Sequence, residues 1–239
     1  MTEALEAHLH RQIEHSRQFF WQRLRWRVVR QYLPERAPFD LVDVGAGAGL
    51  LGEFLHRDCP QADYHFVEPI ASLRTFLCDQ FGAQADLGDS PDFGECGFVT
   101  LLDVLEHQED DAAFLSDLVG KMRPGSTLLL TVPALQKLWS AWDVKLGHFR
   151  RYDKETLTAC LDGLPIVVDE INYLFPELVP LGLLRAHRKQ KVTEDQSAEF
   201  PDIPKPLNEL LYLAGTGSVA LRRRWGTGTS LFAAATVTA

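Results

Sequence analysis

A glycine-rich turn between a strand pattern and a helix pattern constrains this chain more than any other feature. The run Phe39-Asp-Leu-Val-Asp-Val is short, apolar and β-branched, which predicts a buried strand, and it leads directly into Gly45-Ala-Gly-Ala-Gly49. From Leu50 to His56 the apolar residues return at helical spacing. Glycines permit positive φ angles and let a ligand approach the main chain closely. Because ligands of doubly wound sheets bind beyond the carboxyl ends of the strands, this turn predicts a binding site.

Strand and helix patterns alternate after this turn. A strand pattern over 64–68 precedes a helix pattern over 72–81, with Ser72 as the expected N-cap residue. Further strand patterns lie at 98–103, 126–132, 165–169 and 230–237, and a helix pattern lies at about 110–122. Alternation at this spacing predicts an α/β fold in which helices cover both faces of a parallel sheet.

The first part of the chain is predicted to be one helix over 3–33. Apolar and aromatic residues recur there at spacings of three and four until Pro34 ends the run. Its Phe19-Phe20-Trp21 cluster either packs on an edge of the sheet or closes over the binding site. Near the other end, the segment 193–206 is rich in proline and acids and is expected to be a loop before the last helix and strand.

Composition and charge exclude several classes of protein. The chain has 239 residues, of which 46% are apolar and 24% charged, so one soluble domain is expected. Its net charge of −9 disfavours general binding to nucleic acid. The four cysteines form no C-x-x-C pair, so neither a disulfide framework nor a metal site is predicted. Acids stand where a signal peptide needs bases, and no apolar run reaches about 18 residues, so we expect a cytoplasmic protein.

The spacing of the glycines and a following acid indicate the kind of ligand. The turn reads G-x-G-x-G, which differs from the G-x-G-x-x-G of dinucleotide-binding turns, and no G-x-x-x-x-G-K-[ST] sequence occurs. Glu68 ends the second strand, 19 residues after Gly49. A carboxylate there can accept hydrogen bonds from both hydroxyls of a ribose, and its charge would repel a 2′-phosphate. These features favour an adenosine-containing ligand other than NADP.

Three motifs together resemble those of class I S-adenosylmethionine-dependent methyltransferases. They are the D-x-G-x-G-x-G turn from Asp43 with Glu68, the segment Leu101-Leu-Asp-Val-Leu-Glu-His107, and the segment Leu128-Leu-Leu-Thr-Val-Pro133. The later segments 139–143 and 146–152 are similar to those of a small-molecule branch, methyltransferase type 11 or 12. The resemblance implies a Rossmann-like, doubly wound sheet of seven strands, mostly parallel, whose antiparallel last strand lies between the fifth and the sixth.

The resemblance also assigns residues to the methionine and ribose parts of the cofactor. It places the glycines under these parts, with Asp43 supporting the turn, Glu68 on the ribose diol and Asp103 facing the amino group. The full expected set for this part of the cofactor is Asp43, Gly45, Gly47, Gly49, Glu68, Pro69 and Asp103.

The adenine is assigned to the segment before the third apolar run. The resemblance places Asp86 at the adenine amino group and Leu87 beside the ring, with Asp89 as the alternative acid. The chain departs from the family at Cys96-Gly97, where a Phe-Asp pair is common, and this weakens the alignment of the segment.

Two histidines are candidates for a general base. A base helps when the methyl acceptor is a hydroxyl, whereas a neutral amine or a carbanion-like carbon needs none. In the family's count of strands, His107 follows the fourth strand and His148 lies in the loop after the fifth. We expect His148 to be the better base, with His107 and Asp143 as further catalytic candidates.

Five residues are candidates for binding the acceptor: Trp139, Trp142, Arg150, Arg151 and Tyr152. The arginines would bind an anionic group such as a carboxylate or phosphate, and the aromatic residues would line an apolar or sugar-stacking pocket. The alternative is structural. The arginines and His148 then cap a helix or pair with Glu106 and Asp143, and the tryptophans form the core of a short helix.

The apolar stretch over 173–184, followed by bases up to Lys189, has three interpretations. It is a lid over the site, a contact between two copies of the chain, or a surface that touches a membrane. We divide the single expected domain into an N-terminal helical extension (1–36), a cofactor-binding core (37–134) and a substrate-side part (135–239).

The expected function is transfer of a methyl group from S-adenosylmethionine to a small molecule such as a sugar, a glycolipid precursor or another secondary metabolite. One alternative is a sensor or scaffold that binds the cofactor without turnover. A nucleic-acid methyltransferase is disfavoured by the net charge and by Asp103-Val-Leu-Glu, which stands where base-methylating enzymes have Asn/Asp-Pro-Pro-Tyr/Phe. An NAD-dependent oxidoreductase is disfavoured by the glycine spacing.

Overall fold

The computed structural model describes residues 3–15, 19–89, 91–94, 96–187 and 203–239. These residues form nine α-helices and six strands. The helices are α1 (Glu3–His15), α2 (Phe20–Val29), α3 (Leu50–Asp58), α4 (Ala71–Phe81), α5 (Asp111–Gly120), α6 (Ala141–Leu146), α7 (Lys154–Leu161), α8 (Val179–His187) and α9 (Lys205–Ala220). The strands are β1 (Phe39–Val44), β2 (Ala62–Val67), β3 (Phe98–Leu102), β4 (Thr127–Pro133), β5 (Ile166–Leu174) and β6 (Ser230–Val237).

The strands form one sheet in the order β2-β1-β3-β4-β6-β5. The first four strands of that order run parallel, and β6 lies antiparallel between β4 and β5. The predicted α/β class and the antiparallel last strand are therefore confirmed. The order reverses at β1 and β3, which is the point where an open α/β sheet forms a ligand-binding crevice.

The described residues contain six strands, where the family resemblance predicted seven. After α4 the chain makes a short 3-10 turn at Ala83–Ala85 and then a single parallel bridge from Asp86 to Phe66, on the outer side of β2. Gly88 follows with a φ of 74°, at which an extended strand does not continue. This bridge occupies the place where a seventh strand would pair.

The central strands are mostly apolar because both faces of the sheet are covered. Leu41 and Leu129 belong to one buried cluster, which includes residues of α2 and α3. Val42 and Leu130 point to the other face and belong to a second buried cluster, which includes residues of α5 and α7. Mostly apolar runs of this kind are typical of strands in a doubly covered parallel sheet.

The N-terminal helix differs from the prediction. The single helix expected over 3–33 is two helices, since Phe19 has extended backbone angles (φ −63°, ψ 131°) immediately before α2, and residues 16–18 lie outside the described part. Ser72 is also not an N-cap. Ile70 occupies the cap position of α4, and the Ser72 hydroxyl donates a hydrogen bond to the Glu6 carboxylate of α1 at 2.5 Å. Helix α1 thus lies against the start of α4.

The C-terminal part contributes β5 and β6 to the sheet, and α9 lies between these two strands in the chain. This helix packs along α2, where the Asn208 side chain accepts a hydrogen bond from the backbone N–H of Phe20 at 2.9 Å. Of the loop expected over 193–206, residues 193–202 lie outside the described part, and α9 begins at Lys205. The helices that the structure describes include none that is long and apolar enough to cross a membrane.

Candidate functional site

A cavity of about 950 Å³ opens at the carboxyl ends of the parallel strands. Residues of α1 and α2 cover it from one side and residues of α8 from another. The predicted site residues that line it are Asp43, Gly45, Gly47, Glu68, Pro69, Asp103, His107, Trp142, His148 and Arg151. Both the expected cofactor turn and the expected catalytic histidines therefore face one space. Of the apolar stretch at 173–184, the α8 residues Leu181 and Gly182 line this space, as a lid would.

The glycine turn needs glycine for two different reasons. Gly47 has a φ of 56° and lines the cavity, and a Cβ atom built on it would lie 3.2 Å from the Leu9 side chain of α1. Gly49 has a φ of 74° and faces the core, where a Cβ atom would lie 2.6 Å from Leu77. L-residues rarely adopt such φ values. Gly47 thus leaves the main chain open to a ligand, whereas Gly49 serves packing and does not line the cavity.

Glu68 is buried at the end of β2 and faces the turn. Its carboxylate accepts hydrogen bonds from the backbone N–H groups of Gly47 at 2.7 Å and Ile70 at 2.8 Å. Burial raises the pKa of Glu68, and the two backbone hydrogen bonds oppose that rise. Each carboxylate oxygen has two lone pairs, so each retains one for a hydroxyl group of a ligand.

Asp43 lies in β1 beneath the turn. Its carboxylate accepts hydrogen bonds from the hydroxyls of Thr100 at 2.8 Å and Tyr64 at 3.3 Å. Burial raises the pKa of Asp43 to about 6, although the Thr100 hydrogen bond and the charge of Arg25 lower it. Both hydrogen-bond partners lie on neighbouring strands, Thr100 on β3 and Tyr64 on β2, so the support of the turn by Asp43 stays a prediction.

The raised pKa of Asp43 predicts a pH-dependent stability. Because the pKa of this acid is higher in the fold than its ordinary 3.8, its contribution is complete below pH 3.8 and is lost as the pH rises through about 6. A shift of about two pKa units corresponds to about 3 kcal/mol. Asp43→Asn should abolish this loss and raise the free energy of unfolding at pH 8 by up to that amount. Urea unfolding from pH 4 to 8 measures it, with exposed Asp63→Asn as the control; equal pH profiles for Asp43→Asn and wild type would contradict the prediction.

Asp103 follows β3 and lies at the cavity with a positive φ of 59°. Its carboxylate accepts hydrogen bonds from the Thr131 hydroxyl at 3.0 Å and from the guanidinium of Arg25 on α2. Sequence reasoning did not select Arg25, because its position follows only from how α2 packs. A ligand amino group that reaches Asp103 therefore meets a carboxylate already paired with an arginine.

The residues assigned to adenine lie away from the cavity lining. Asp86 accepts hydrogen bonds from Arg74 at 2.5 Å and from the backbone N–H of Gly88 at 2.9 Å. The alternative acid, Asp89, also pairs with Arg74, at 2.7 Å. Leu87 packs beside the second apolar cluster. The structure therefore does not distinguish Asp86 from Asp89 by contact with the cavity, and the adenine assignment stays a prediction.

A buried carboxylate organises the loop after α6. Asp143 is fully buried and accepts hydrogen bonds from Nδ1 of His148 at 3.0 Å and from Nε of Arg151 at 2.7 Å. Burial alone would raise the pKa of Asp143, but the His148 hydrogen bond and the Arg151 charge hold it below its ordinary value. His148 is thus fixed through one ring nitrogen, and Nε2 is left for another partner.

Several substrate candidates have structural partners instead. Tyr152 is buried in the core and donates a hydrogen bond to Asp111 at 2.7 Å. Arg150 pairs with the same carboxylate at 2.7 Å and does not line the cavity. Trp139 also lies outside the lining, whereas Trp142 faces the cavity, with the guanidinium of Arg185 4.6 Å from its ring centroid. Of the five candidates, Trp142 and Arg151 are therefore the ones positioned to meet an acceptor.

Two further groups lie beside His148. The rings of His107 and His148 are 4.8 Å apart and nearly perpendicular. Burial and the neighbouring His148 lower the pKa of His107 to about 4, so His107 is neutral at pH 7. Glu106 is buried, and burial and the charge of Asp103 raise its pKa well above the ordinary value. Sequence reasoning considered Glu106 only as a salt-bridge partner of the arginines and His148, because it lies inside a motif matched for other residues.

The sequence matches a known protein family. A family model described as a methyltransferase domain matches residues 6–164. This range includes the glycine turn, Glu68, Asp103 and both cavity histidines. No protein of curated function matches the sequence.

The chain is similar in structure to several solved proteins. One is Haemonchus contortus phosphoethanolamine N-methyltransferase 2, solved with phosphomonomethylethanolamine and S-adenosylhomocysteine (14% identity, TM-score 0.56, 90% of this chain and 52% of that one). Another is a SAM-dependent methyltransferase from Archaeoglobus fulgidus (16%, 0.52, 90% and 94%). A third is a Haloferax volcanii protein solved with the Trm112 methyltransferase activator (15%, 0.57, 100% and 99%). The chain spans about half the length of the Haemonchus protein, and at these identities the likeness shows the fold.

Proposed function

The chain belongs to the methyltransferase domain family, and from that membership we propose that it transfers the methyl group of S-adenosylmethionine to a small-molecule acceptor. When bound, S-adenosylmethionine supplies an electrophilic methyl group on a positively charged sulfur. The residues around the cavity must then hold the adenosine and methionine parts, position the acceptor and remove a proton where the acceptor has one.

The observation that carries this proposal is the buried Glu68 carboxylate set against the Gly47 main chain at the wall of the cavity. A ribose diol donates to a carboxylate through two hydroxyls, and the bare backbone beside it leaves room for the sugar. Asp103 lies on the neighbouring strand end, where it would accept a hydrogen bond from the amino group of the methionine part. That contact requires the Arg25 side chain to move or to share the carboxylate.

The acceptor is assigned to the part of the cavity lined by Trp142, His107 and His148. An aromatic ring and two imidazoles suit a small molecule with an apolar body and a polar group. In a hydroxyl acceptor, Nε2 of His148 takes the proton while Asp143 stabilises the resulting imidazolium through Nδ1. All three guanidinium nitrogens of Arg151 already donate, Nε and Nη2 to Asp143 and Nη1 to the carbonyl of Ala134, so an anionic group would meet only the second N–H of Nη1 or Nη2.

The second candidate function is a protein that binds the cofactor without turnover. The Arg25–Asp103 pair favours this second function, because a cation already occupies the position expected for the amino group of the cofactor. A radiolabelled-methyl screen over small-molecule acceptors, run beside cofactor binding, separates the two functions. Binding with no transfer to any acceptor would favour the sensor or scaffold.

Glu68→Gln is expected to weaken S-adenosylhomocysteine binding about 100-fold. The amide loses the negative charge that receives the ribose hydroxyls, and hydrogen bonds to charged groups contribute about 1.5–3 kcal/mol each. Isothermal titration measures the dissociation constants. The matched control is Glu35→Gln, which removes an exposed acid outside the cavity and should leave binding unchanged. Equal affinity in Glu68→Gln and wild type would remove the ribose assignment.

A further inference from the structure

Three metal-ligating side chains meet at the acceptor end of the cavity. Glu106 and His107 lie in the short turn after β3, and His148 lies after α6. One donor atom from each of these side chains lies within 4.8 Å of the others. All three residues line the cavity, so a group bound there would face the space assigned to the acceptor.

One of the two histidines is oriented as metal ligands usually are. Metal-binding histidines almost always place their second ring nitrogen on a carboxylate or a backbone carbonyl, which fixes the ring. Nδ1 of His148 is held by the fully buried Asp143 at 3.0 Å. The ring of His107 lies 4.8 Å from that of His148, nearly perpendicular to it. His148 therefore has Nδ1 engaged and Nε2 available, and His107 lies directly beside it.

The third ligand is a buried carboxylate oxygen without a partner. Glu106 is 1% exposed, and its Oε2 atom has no hydrogen-bond partner among the described residues. Leaving a buried polar atom unpaired costs about 1–3 kcal/mol, and more for a charged group. The two neighbouring histidines and a cavity on the open side make a cation the natural partner of this oxygen.

We propose that Glu106, His107 and His148 bind one divalent transition-metal ion, for which Zn²⁺ is the reference. Two imidazoles and one carboxylate form a three-ligand set that leaves a coordination position open for an exogenous group. Imidazole donors suit zinc and related transition ions, whereas Mg²⁺ and Ca²⁺ prefer oxygen donors alone. Ligand atoms around a tetrahedral Zn²⁺ are about 3.3 Å apart, so small side-chain rotations close the site.

The role of the ion rests on the proposed function. The open position takes the hydroxyl oxygen of the acceptor, whose O–H bond breaks with the proton passing to solvent water. The electron pair left on oxygen then forms the bond to the methyl carbon, while the carbon–sulfur bond breaks and its pair returns to sulfur. When Nε2 of His148 binds the metal, this histidine does not act as the base, and the metal takes over that role.

The test is direct metal binding by the full chain without an affinity tag. The protein is dialysed against a chelator and titrated with Zn²⁺ by calorimetry and with Co²⁺ by visible absorption. We expect one ion per chain and a Co²⁺ spectrum typical of nitrogen and oxygen ligands. His107→Ala, His148→Ala and Glu106→Gln should each weaken binding at least about 100-fold, and Asp143→Asn about 10- to 100-fold. Exposed His56→Ala is the control and should bind as wild type does.

The outcomes separate this inference from the proposed function. Circular dichroism establishes whether each variant is folded. If a histidine variant does not fold, the near-isosteric Glu106→Gln still tests the metal site. If wild type takes up no ion, or if these variants bind it as tightly as wild type, the metal site is wrong. S-adenosylhomocysteine is titrated in parallel. A protein that binds S-adenosylhomocysteine but takes up no metal overturns the metal site alone. A protein that takes up metal but does not bind S-adenosylhomocysteine overturns the proposed function.

Discussion

Gly47→Val is expected to weaken binding of S-adenosylhomocysteine by at least about 1000-fold. The residue has a φ of 56°, which a β-branched side chain adopts only with strain, and its new side chain would enter the cavity beside Leu9. We expect the substitution also to weaken the hydrogen bond from the Gly47 N–H to Glu68. The valine side chain thus blocks the space for the sugar, and the shifted backbone displaces the carboxylate that would bind the sugar. Isothermal titration with S-adenosylhomocysteine measures the loss.

A glycine outside the site provides the control for this variant. A Cβ atom built on Gly120, at the end of α5, has no atom within 4 Å, so Gly120→Ala should bind as wild type does. Backbone strain at Gly47 costs about 1–3 kcal/mol of stability, so circular dichroism must show that Gly47→Val is folded. If the folded variant binds S-adenosylhomocysteine normally, the turn is not part of the cofactor site.

Arg222→Ala is expected to lower the free energy of unfolding by about 3–5 kcal/mol. The buried guanidinium donates to both carboxylate oxygens of Glu170, which also accepts a hydrogen bond from Tyr32 at 2.7 Å. Removal of one partner of a buried ion pair leaves an uncompensated charge in the core, and this is the costly change. Urea denaturation followed by circular dichroism measures the difference.

The adjacent arginine gives a matched control. Arg223 reaches the same carboxylate at 3.3 Å, but its side chain is 77% exposed. Exposed ion pairs contribute little, so Arg223→Ala should change stability by less than about 1 kcal/mol. If the two variants lose similar amounts of free energy of unfolding, burial of the ion pair with Glu170 does not determine how much that pair stabilises the fold. The pair joins β5 to the short turn after α9, so its loss should also loosen the edge of the sheet farthest from the glycine turn.

The cofactor side of the molecule was largely predictable from the sequence. A strand that ends in closely spaced glycines has few possible conformations, and Glu68 is placed beside that turn because β1 and β2 pair in parallel register. The apolar runs at β1, β3 and β4 predicted strands correctly because both faces of the sheet are covered. These features depend on local sequence and on one rule of sheet topology, so no long-range packing had to be known.

The acceptor side and the N-terminal part depend on contacts between distant segments. The helix is interrupted before α2 because the backbone of Phe19 is extended, and the apolar periodicity of the sequence does not reveal this interruption. Arg25 reaches Asp103 only through the packing of α2. The proposed metal ligands come from two loops, and their spacing in sequence matches no zinc motif. The predicted absence of a metal site followed from counting cysteines, which says nothing about a set of two histidines and one glutamate.

The central claim is that an adenosyl compound occupies the cavity between the glycine turn and Glu68. Thermal or urea unfolding of wild type with S-adenosylhomocysteine, and separately with NAD, tests it most directly. At 100 times its dissociation constant, S-adenosylhomocysteine should add about 2.7 kcal/mol to the free energy of unfolding, and NAD should add nothing. Stabilisation by NAD with no effect of S-adenosylhomocysteine would contradict the account.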